Sequence, residues 1–196
     1  MRGEAHGTGR SPAKIIAMTD GAQASVWPAL SKDDDGVMEE LFTTLKVRVS
    51  GDPYSDDGSF AANLMHLPPG LRAMAATHWL DISLTLDSIT WHFGNFGESG
   101  LVAQTEEGLT ELGLNELASC FREAKELMVP LLATRKEEDG DPYEILESKG
   151  LREEGDKIDD RAWHLASLHE QNPRRSAIYA AWVRYAREHP ERVFAG

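Results

Sequence analysis

Apolar residues recur every three or four positions from residue 37 onward, which predicts amphipathic helices along most of the chain. The first stripe lies in residues 37–49. The longest runs from Pro69 to Phe93 with no proline or glycine after Gly70, and its apolar positions surround most of the helix. We therefore expect one buried central helix there. The glycines of WHFGNFGESG, residues 91–100, then predict a tight turn at its end.

The second half of the chain predicts further helices. Thr105 is placed as the cap of one and Asn115 as the cap of the next. A short helix is expected at PYEILESKG, another at DKIDDRAWHLASLHEQN, and the last opens at Asn172 before a proline. Alternation typical of a strand is weak everywhere, and LKVRVSG, residues 45–51, is the best candidate.

Composition divides the chain into two parts. Residues 1–34 are rich in Gly, Ala, Ser, Thr and Asp without a sustained period, which predicts a flexible arm or linker. Residues 35–196 predict a single all-α domain, a compact helical bundle of about six to eight helices. Apolar runs are shorter than the roughly 18 residues of a membrane span, and the N-terminal patch at 15–18 is short for a secretory signal. We expect a cytoplasmic protein.

Residues typical of catalysis or metal binding form no specific motif. His78 with Asp81, and His164 with Asp160, have spacings that share a helix face, but such pairs arise by chance among seven His and 33 carboxylates. WHFGNFGESG has neither dinucleotide nor P-loop spacing, and Cys120 is placed as a small core residue. We assign no catalytic, cofactor or metal residue. A small enzyme or metal-binding helical protein stays open as an alternative, favoured by a polar pocket around His78 or His92.

Charge is the more informative property. The formal net charge of −13 argues against direct binding to nucleic acid or an anionic membrane, and favours a basic protein as partner. Residues 137–160 contain eleven carboxylates against three cationic side chains, a net of −8. The simplest alternative is a solvated acidic loop and helix face. As partner-binding residues we predict Glu137, Glu138, Asp139, Asp141, Glu144, Glu153, Glu154, Asp156, Asp159 and Asp160.

The C-terminal segment has the opposite charge balance. From residue 172 onward five arginines face two glutamates, so this segment is expected to pair with the acidic region within one chain or across a dimer. The arginines are Arg174, Arg175, Arg184, Arg187 and Arg192.

Three stretches carry a family resemblance over about residues 70–196: LTLDSITWHFGNFGESG, GLTELGLNELASCFREA and YAREHPERVF. Together they resemble a mostly uncharacterised family of all-helical bacterial proteins that includes a dimeric DNA-mimic protein. The matching positions are Phe93, Asn95, Gly100, Leu109, Leu112, Gly113, Tyr185, His189, Pro190, Glu191 and Phe194. The resemblance implies an α-helical bundle, a homodimer and DNA mimicry, with no known catalytic residue.

The sequence thus favours an acidic protein-binding module, a DNA mimic that engages a basic DNA-binding partner such as a transcription factor or nucleoid protein. An immunity or antitoxin-like inhibitor of a basic toxin would use the same electrostatics and stays an alternative. No cofactor is expected in either case.

Overall fold

The computed structural model describes residues 27–135, 140–169 and 172–195. Within these ranges the chain forms nine α-helices and one small hairpin, which confirms the predicted all-α bundle. The helices are α1 Asp34–Arg48, α2 Ser59–Leu64, α3 Pro69–Leu86, α4 Ile89–Asn95, α5 Ser99–Glu111, α6 Asn115–Leu132, α7 Pro142–Ser148, α8 Arg152–Ala166 and α9 Ala177–Glu188. Short 3₁₀ turns occupy Pro28–Ser31 and Pro190–Arg192, and strands β1 Leu168–His169 and β2 Asn172–Ser176 precede α9.

Helix α3 lies at the centre of the bundle and packs against α4, α5, α8 and α9. The prediction that it continues to Phe93 is wrong. It ends at Leu86, Asp87 leaves helical geometry, and Ser88 caps α4 by accepting a 3.0 Å hydrogen bond from the Trp91 N–H. A serine hydroxyl offers the backbone an alternative to the helical hydrogen bond, so it favours this new N-terminus. One predicted helix is therefore two.

Two predicted caps are also corrected. The side chain of Glu98 accepts hydrogen bonds of 2.8 Å from the N–H groups of Gly100 and Leu101, so α5 begins at Ser99. Thr105 lies buried in the middle of that helix. A carboxylate satisfies exposed N–H groups and also opposes the positive end of the helix dipole, which explains the choice of Glu98. Asn115 is the first helical residue of α6 rather than its cap.

The strand was predicted in the wrong part of the chain. Most of LKVRVSG lies in α1, which ends at Arg48. The antiparallel β1–β2 hairpin instead occupies a region predicted as helix, and Leu168 pairs with Ser176. Helix α9 begins at Ala177, five residues later than expected, where the Ser176 hydroxyl accepts a hydrogen bond of 3.1 Å from the Tyr179 N–H.

The stretch WHFGNFGESG is a packing element. Phe93 and Phe96 are buried, and α4 approaches α7 so closely that a Cβ at position 94 would lie 2.5 Å from Pro142 Cγ. Glycine is required at position 94 because it has no side chain to separate the two helices.

Helices α5, α6 and α8 lie side by side on one part of the bundle. Helix α6 packs against both of its neighbours, and its buried positions include Leu117, Phe121, Ala124 and Met128. Their spacing of three or four residues directs the remaining charged positions of α6 outward. None of the helices in the described ranges has the length and apolar character needed to cross a membrane.

Candidate acidic interface

We call the outer surfaces of α5, α6 and α8 the acidic face, because these helices carry more acidic than basic side chains. The three helices contain eleven Asp and Glu residues against five Lys and Arg residues. The carboxylates are Glu106, Glu107, Glu111, Glu116, Glu123, Glu126, Glu153, Glu154, Asp156, Asp159 and Asp160.

Each of the five cationic side chains on the acidic face pairs with a carboxylate of the same face. Two of these pairs join successive turns of α8, and the others connect α6 with α5 or α8. The pairs are Arg122 with Glu106 at 2.7 Å, Lys125 with Glu106, Arg152 with Asp156 at 2.8 Å, Lys157 with Glu153 at 2.7 Å, and Arg161 with Glu123. The cations are thus already matched inside the protein.

Six of the eleven carboxylates are outside the ion pairs formed by the described residues, since Glu111 is bound by Arg192. One of the six, Asp159, is half-buried, and the other five form one group. These five are exposed, and they are distributed over all three helices. We call them the unpaired carboxylates: Glu107, Glu116, Glu126, Glu154 and Asp160.

A groove of about 460 Å³ separates α6 from α8. Glu126 on α6 and Glu154 on α8 both line it, and its apolar lining includes Ile158. Lys157 and Arg161 line it too, but both are held in ion pairs. Carboxylates on facing helices strengthen the negative potential between them, and the groove walls exclude part of the screening solvent. A basic side chain is the chemistry that fits this groove.

The predicted partner-binding residues have different environments. Glu137, Glu138 and Asp139 lie outside the described residues. Asp141 caps α7 and forms a capping box with Glu144, so both side chains hold hydrogen bonds to backbone N–H groups. Glu153 and Asp156 are in the ion pairs of α8. Glu154 and Asp160 are exposed and unpaired.

Asp159 faces the protein interior. Its Oδ1 atom accepts a hydrogen bond of 2.9 Å from the Thr90 N–H at the start of α4. Burial raises the pKa of this carboxyl, and the hydrogen bonds from Thr90 oppose the change. Its position supports the α4–α8 contact.

Sequence reasoning missed the contribution of α5 and α6. Glu107, Glu116 and Glu126 are far apart along the chain, and Arg122 and Lys125 lie between the last two, so a count of local charge does not reveal them. Only the packing of α6 between α5 and α8 adds them to the acidic face.

The C-terminal arginines pair within the described chain, but with other carboxylates than expected. Arg187 binds Asp34 through Nη2 at 2.6 Å, and Arg175 binds Asp35 at the start of α1. Arg192 binds Glu111 at 2.7 Å. Asp34 and Asp35 belong to the acidic run SKDDDG at the start of α1, so these ion pairs connect the C-terminal part of the chain to the first helix.

The histidines considered for chemistry have structural contacts. His92 is fully buried, and its Nδ1 atom lies 3.0 Å from the Ser83 hydroxyl, which itself donates to the Trp79 carbonyl. Burial lowers the pKa of His92 to about 3, so the ring is neutral near pH 7. His78 Nδ1 lies 2.9 Å from the Tyr179 hydroxyl. The described ranges contain no group of three or more His, Cys, Asp or Glu side chains placed to hold a metal ion.

Fold and surface together define an all-helical protein whose outer helices present unpaired carboxylates. A family profile described as DMP19-like protein matches residues 65–189, and the chain belongs to that family. This confirms the resemblance found in the sequence from about residue 70. Comparisons with curated proteins and with solved structures gave no match.

Proposed function

We propose that this protein is an acidic protein-binding module and acts as a DNA mimic, with the acidic face occupying the DNA-binding surface of a basic partner. Membership of the DMP19-like family supports a role of the DNA-mimic type. The observation that carries the proposal is the set of five unpaired carboxylates on three adjacent helices.

The chemistry of recognition follows from charge. DNA-binding surfaces carry Lys and Arg residues that neutralise phosphates spaced a few ångströms apart along each strand. Carboxylates on successive helical turns and on neighbouring helices present negative charge at comparable intervals. Complementary charge accelerates association and disfavours acidic competitors. Glu137, Glu138 and Asp139 stay in the proposal on their charge alone.

The partner is proposed to be a transcription factor, a nucleoid protein or a basic toxin, and the protein is proposed to be cytoplasmic. A homodimer belongs to the same proposal because the family resemblance implies one. Sedimentation equilibrium of the purified protein tests that part separately.

The test of mimicry is capture of partners from a lysate of the source organism at low salt, followed by elution with duplex DNA. Partners bound through their DNA-binding surface are expected to leave when DNA competes for it, and to elute also in rising salt. Mass spectrometry of the eluate then separates DNA-binding regulators from toxins.

Matched charge variants locate the binding surface. The variant Glu126→Gln, Glu154→Gln, Asp160→Asn removes three unpaired carboxylates from the acidic face, and we expect it to lose most of the captured partner. The control Glu39→Gln, Asp56→Asn, Glu188→Gln removes three exposed carboxylates elsewhere and should retain it. Equal capture by both variants, or partners that duplex DNA does not release, would contradict the proposal.

A further inference from the structure

A pocket of about 540 Å³ lies between α3, α8 and the beginning of α9, and it shares no lining residue with the groove between α6 and α8. Asp81 from α3 and Tyr179 from α9 line it, together with Trp163 from α8. The indole of Trp163 is 55% exposed although it belongs to a large aromatic side chain. An exposed indole that lines a pocket can present its ring to a ligand.

Asp81 is 5% exposed and is the acidic group of the pocket. Burial raises the pKa of its carboxyl, while the hydroxyls of Ser176 and Tyr179 stabilise the carboxylate and oppose that rise. The Tyr179 hydroxyl is held in turn by His78 Nδ1 at 2.9 Å. A buried carboxylate is costly unless a cation or hydrogen bonds compensate for it.

Arg175 also lines the pocket, but its charge is already matched. Its guanidinium binds Asp35 and lies 3.8 Å from Asp34, which also holds Arg187. Asp81 is then the charged lining residue that has no ion-pair partner among the described residues. Its negative charge favours a cationic ligand over an anion or a neutral molecule.

We propose that this pocket binds one guanidinium group, that of an arginine side chain presented by the basic partner. The planar cation would pair with the Asp81 carboxylate and lie among the rings of Trp163 and Tyr179, which attract cations through their π-electrons. Apolar contacts with Leu84 and Ala166 suit the methylene stem of arginine. The source of the arginine rests on the proposed function, whereas binding of the guanidinium group does not.

The experiment measures binding of Nα-acetyl-L-arginine amide, a polypeptide-like probe, by ligand-observed NMR, with Nα-acetyl-L-citrulline amide as its uncharged control. The arginine probe is expected to bind and, in a protein-observed NMR spectrum, to shift the indole N–H resonance of Trp163, and the citrulline probe is not. Asp81→Asn should raise the Kd at least about tenfold, because it removes the charge that pairs with the cation. The matched variant Asp56→Asn, which removes an exposed carboxylate outside both the pocket and the acidic face, should leave the Kd unchanged within about twofold.

A second variant keeps the test valid if Asp81→Asn does not fold. Trp163→Ala removes a half-exposed ring, so we expect its helicity by circular dichroism to be unchanged and its Kd to rise several-fold. Equal binding of citrulline, or a Kd unaffected by both variants, would overturn the site. Agmatine is a small guanidinium compound that is not part of a polypeptide. If it bound about a hundredfold more tightly than the arginine probe, the assignment of the ligand to an arginine of a protein partner would be wrong. Because no partner is present, these outcomes are independent of the capture experiment.

Discussion

The indole Nε1 of Trp182 donates a hydrogen bond of 3.0 Å to the Thr77 hydroxyl in the middle of the core. Both side chains are 0% exposed, and the Thr77 hydroxyl donates in turn to the Ala73 carbonyl at 2.8 Å. The bond joins α9 to α3 across 105 residues of sequence. A buried indole N–H needs such a partner, because water cannot replace it.

Thr77→Val should therefore lower the free energy of unfolding by about 1–3 kcal/mol, since it keeps the shape of the side chain but leaves the indole N–H unsatisfied. Urea denaturation measures the loss. Thr110→Val is the matched control, because Thr110 bonds a helix carbonyl in the same way but is exposed. Similar losses for the two variants would show that the Trp182 bond contributes little.

His92 predicts a specific pH dependence of stability. Its pKa is about 3 in the folded protein and near 6.5 when unfolded, so the unfolded chain binds the proton first as the pH falls. Its contribution is complete above about pH 6.5 and is lost progressively toward pH 3. Between pH 7 and pH 5 we expect the protonation of this group to lower the free energy of unfolding by about 2 kcal/mol. The His92→Gln variant should not show this decrease.

Urea titrations of both proteins at several pH values measure this difference. The NMR resonances of the ring report directly whether His92 stays neutral in the folded state at pH 5. A ring that titrates near pH 6.5 in the folded protein would contradict the prediction.

Gly94→Ala should lower stability by about 1–3 kcal/mol by overpacking. The added Cβ would meet Pro142 at 2.5 Å, and separation of α4 from α7 also disturbs the Asp141 cap. In a Pro142→Ala background the same substitution should cost much less, because the Pro142 Cγ and Cδ atoms that the added Cβ would meet are absent. Thermal unfolding should show a clearly smaller loss from Gly94→Ala in that background.

Arg187 binds the segment that precedes α1. Its guanidinium binds Asp34 and donates to the carbonyls of Leu30 at 3.2 Å and Lys32 at 3.0 Å. We expect Arg187→Ala to lower stability by about 1 kcal/mol, a value reduced for partial exposure of the site. Arg187→Lys should recover little of it, because an ammonium group cannot reach three acceptors in one plane.

Limited proteolysis provides the measurement for Arg187. Cleavage between residues 28 and 33 should accelerate in the alanine variant, while sites in α6 stay protected. Unchanged cleavage at these positions would mean that other contacts hold the segment.

The helical class was predictable because apolar periodicity is local, but several helix ends were not. Ser88 was passed over because the apolar pattern continues through it, and Glu98 was missed because Thr105 fits the preference for a cap equally well. Cap choice depends on which N–H groups are left without partners once the helices pack. The β1–β2 hairpin was missed for a related reason, since its short strands lack alternation.

The acidic site was predictable only in part. Local density of carboxylates identified Glu154 and Asp160, but it gave the same weight to Asp159, which faces inward. The partners of Arg175 and Arg187 lie about 140 and 153 residues away, so sequence distance hides them. Tertiary packing decides which charged side chains face the solvent.

The internal matching of every cation on the acidic face has a consequence for the electric field around the protein. Oppositely charged side chains in contact form dipoles, whose field falls off faster with distance than that of a single charge. At a separation of one Debye length, about 8 Å in physiological salt, an approaching partner would respond mainly to the unpaired carboxylates. Binding affinity should therefore fall less steeply with salt concentration than eleven independent carboxylates would cause.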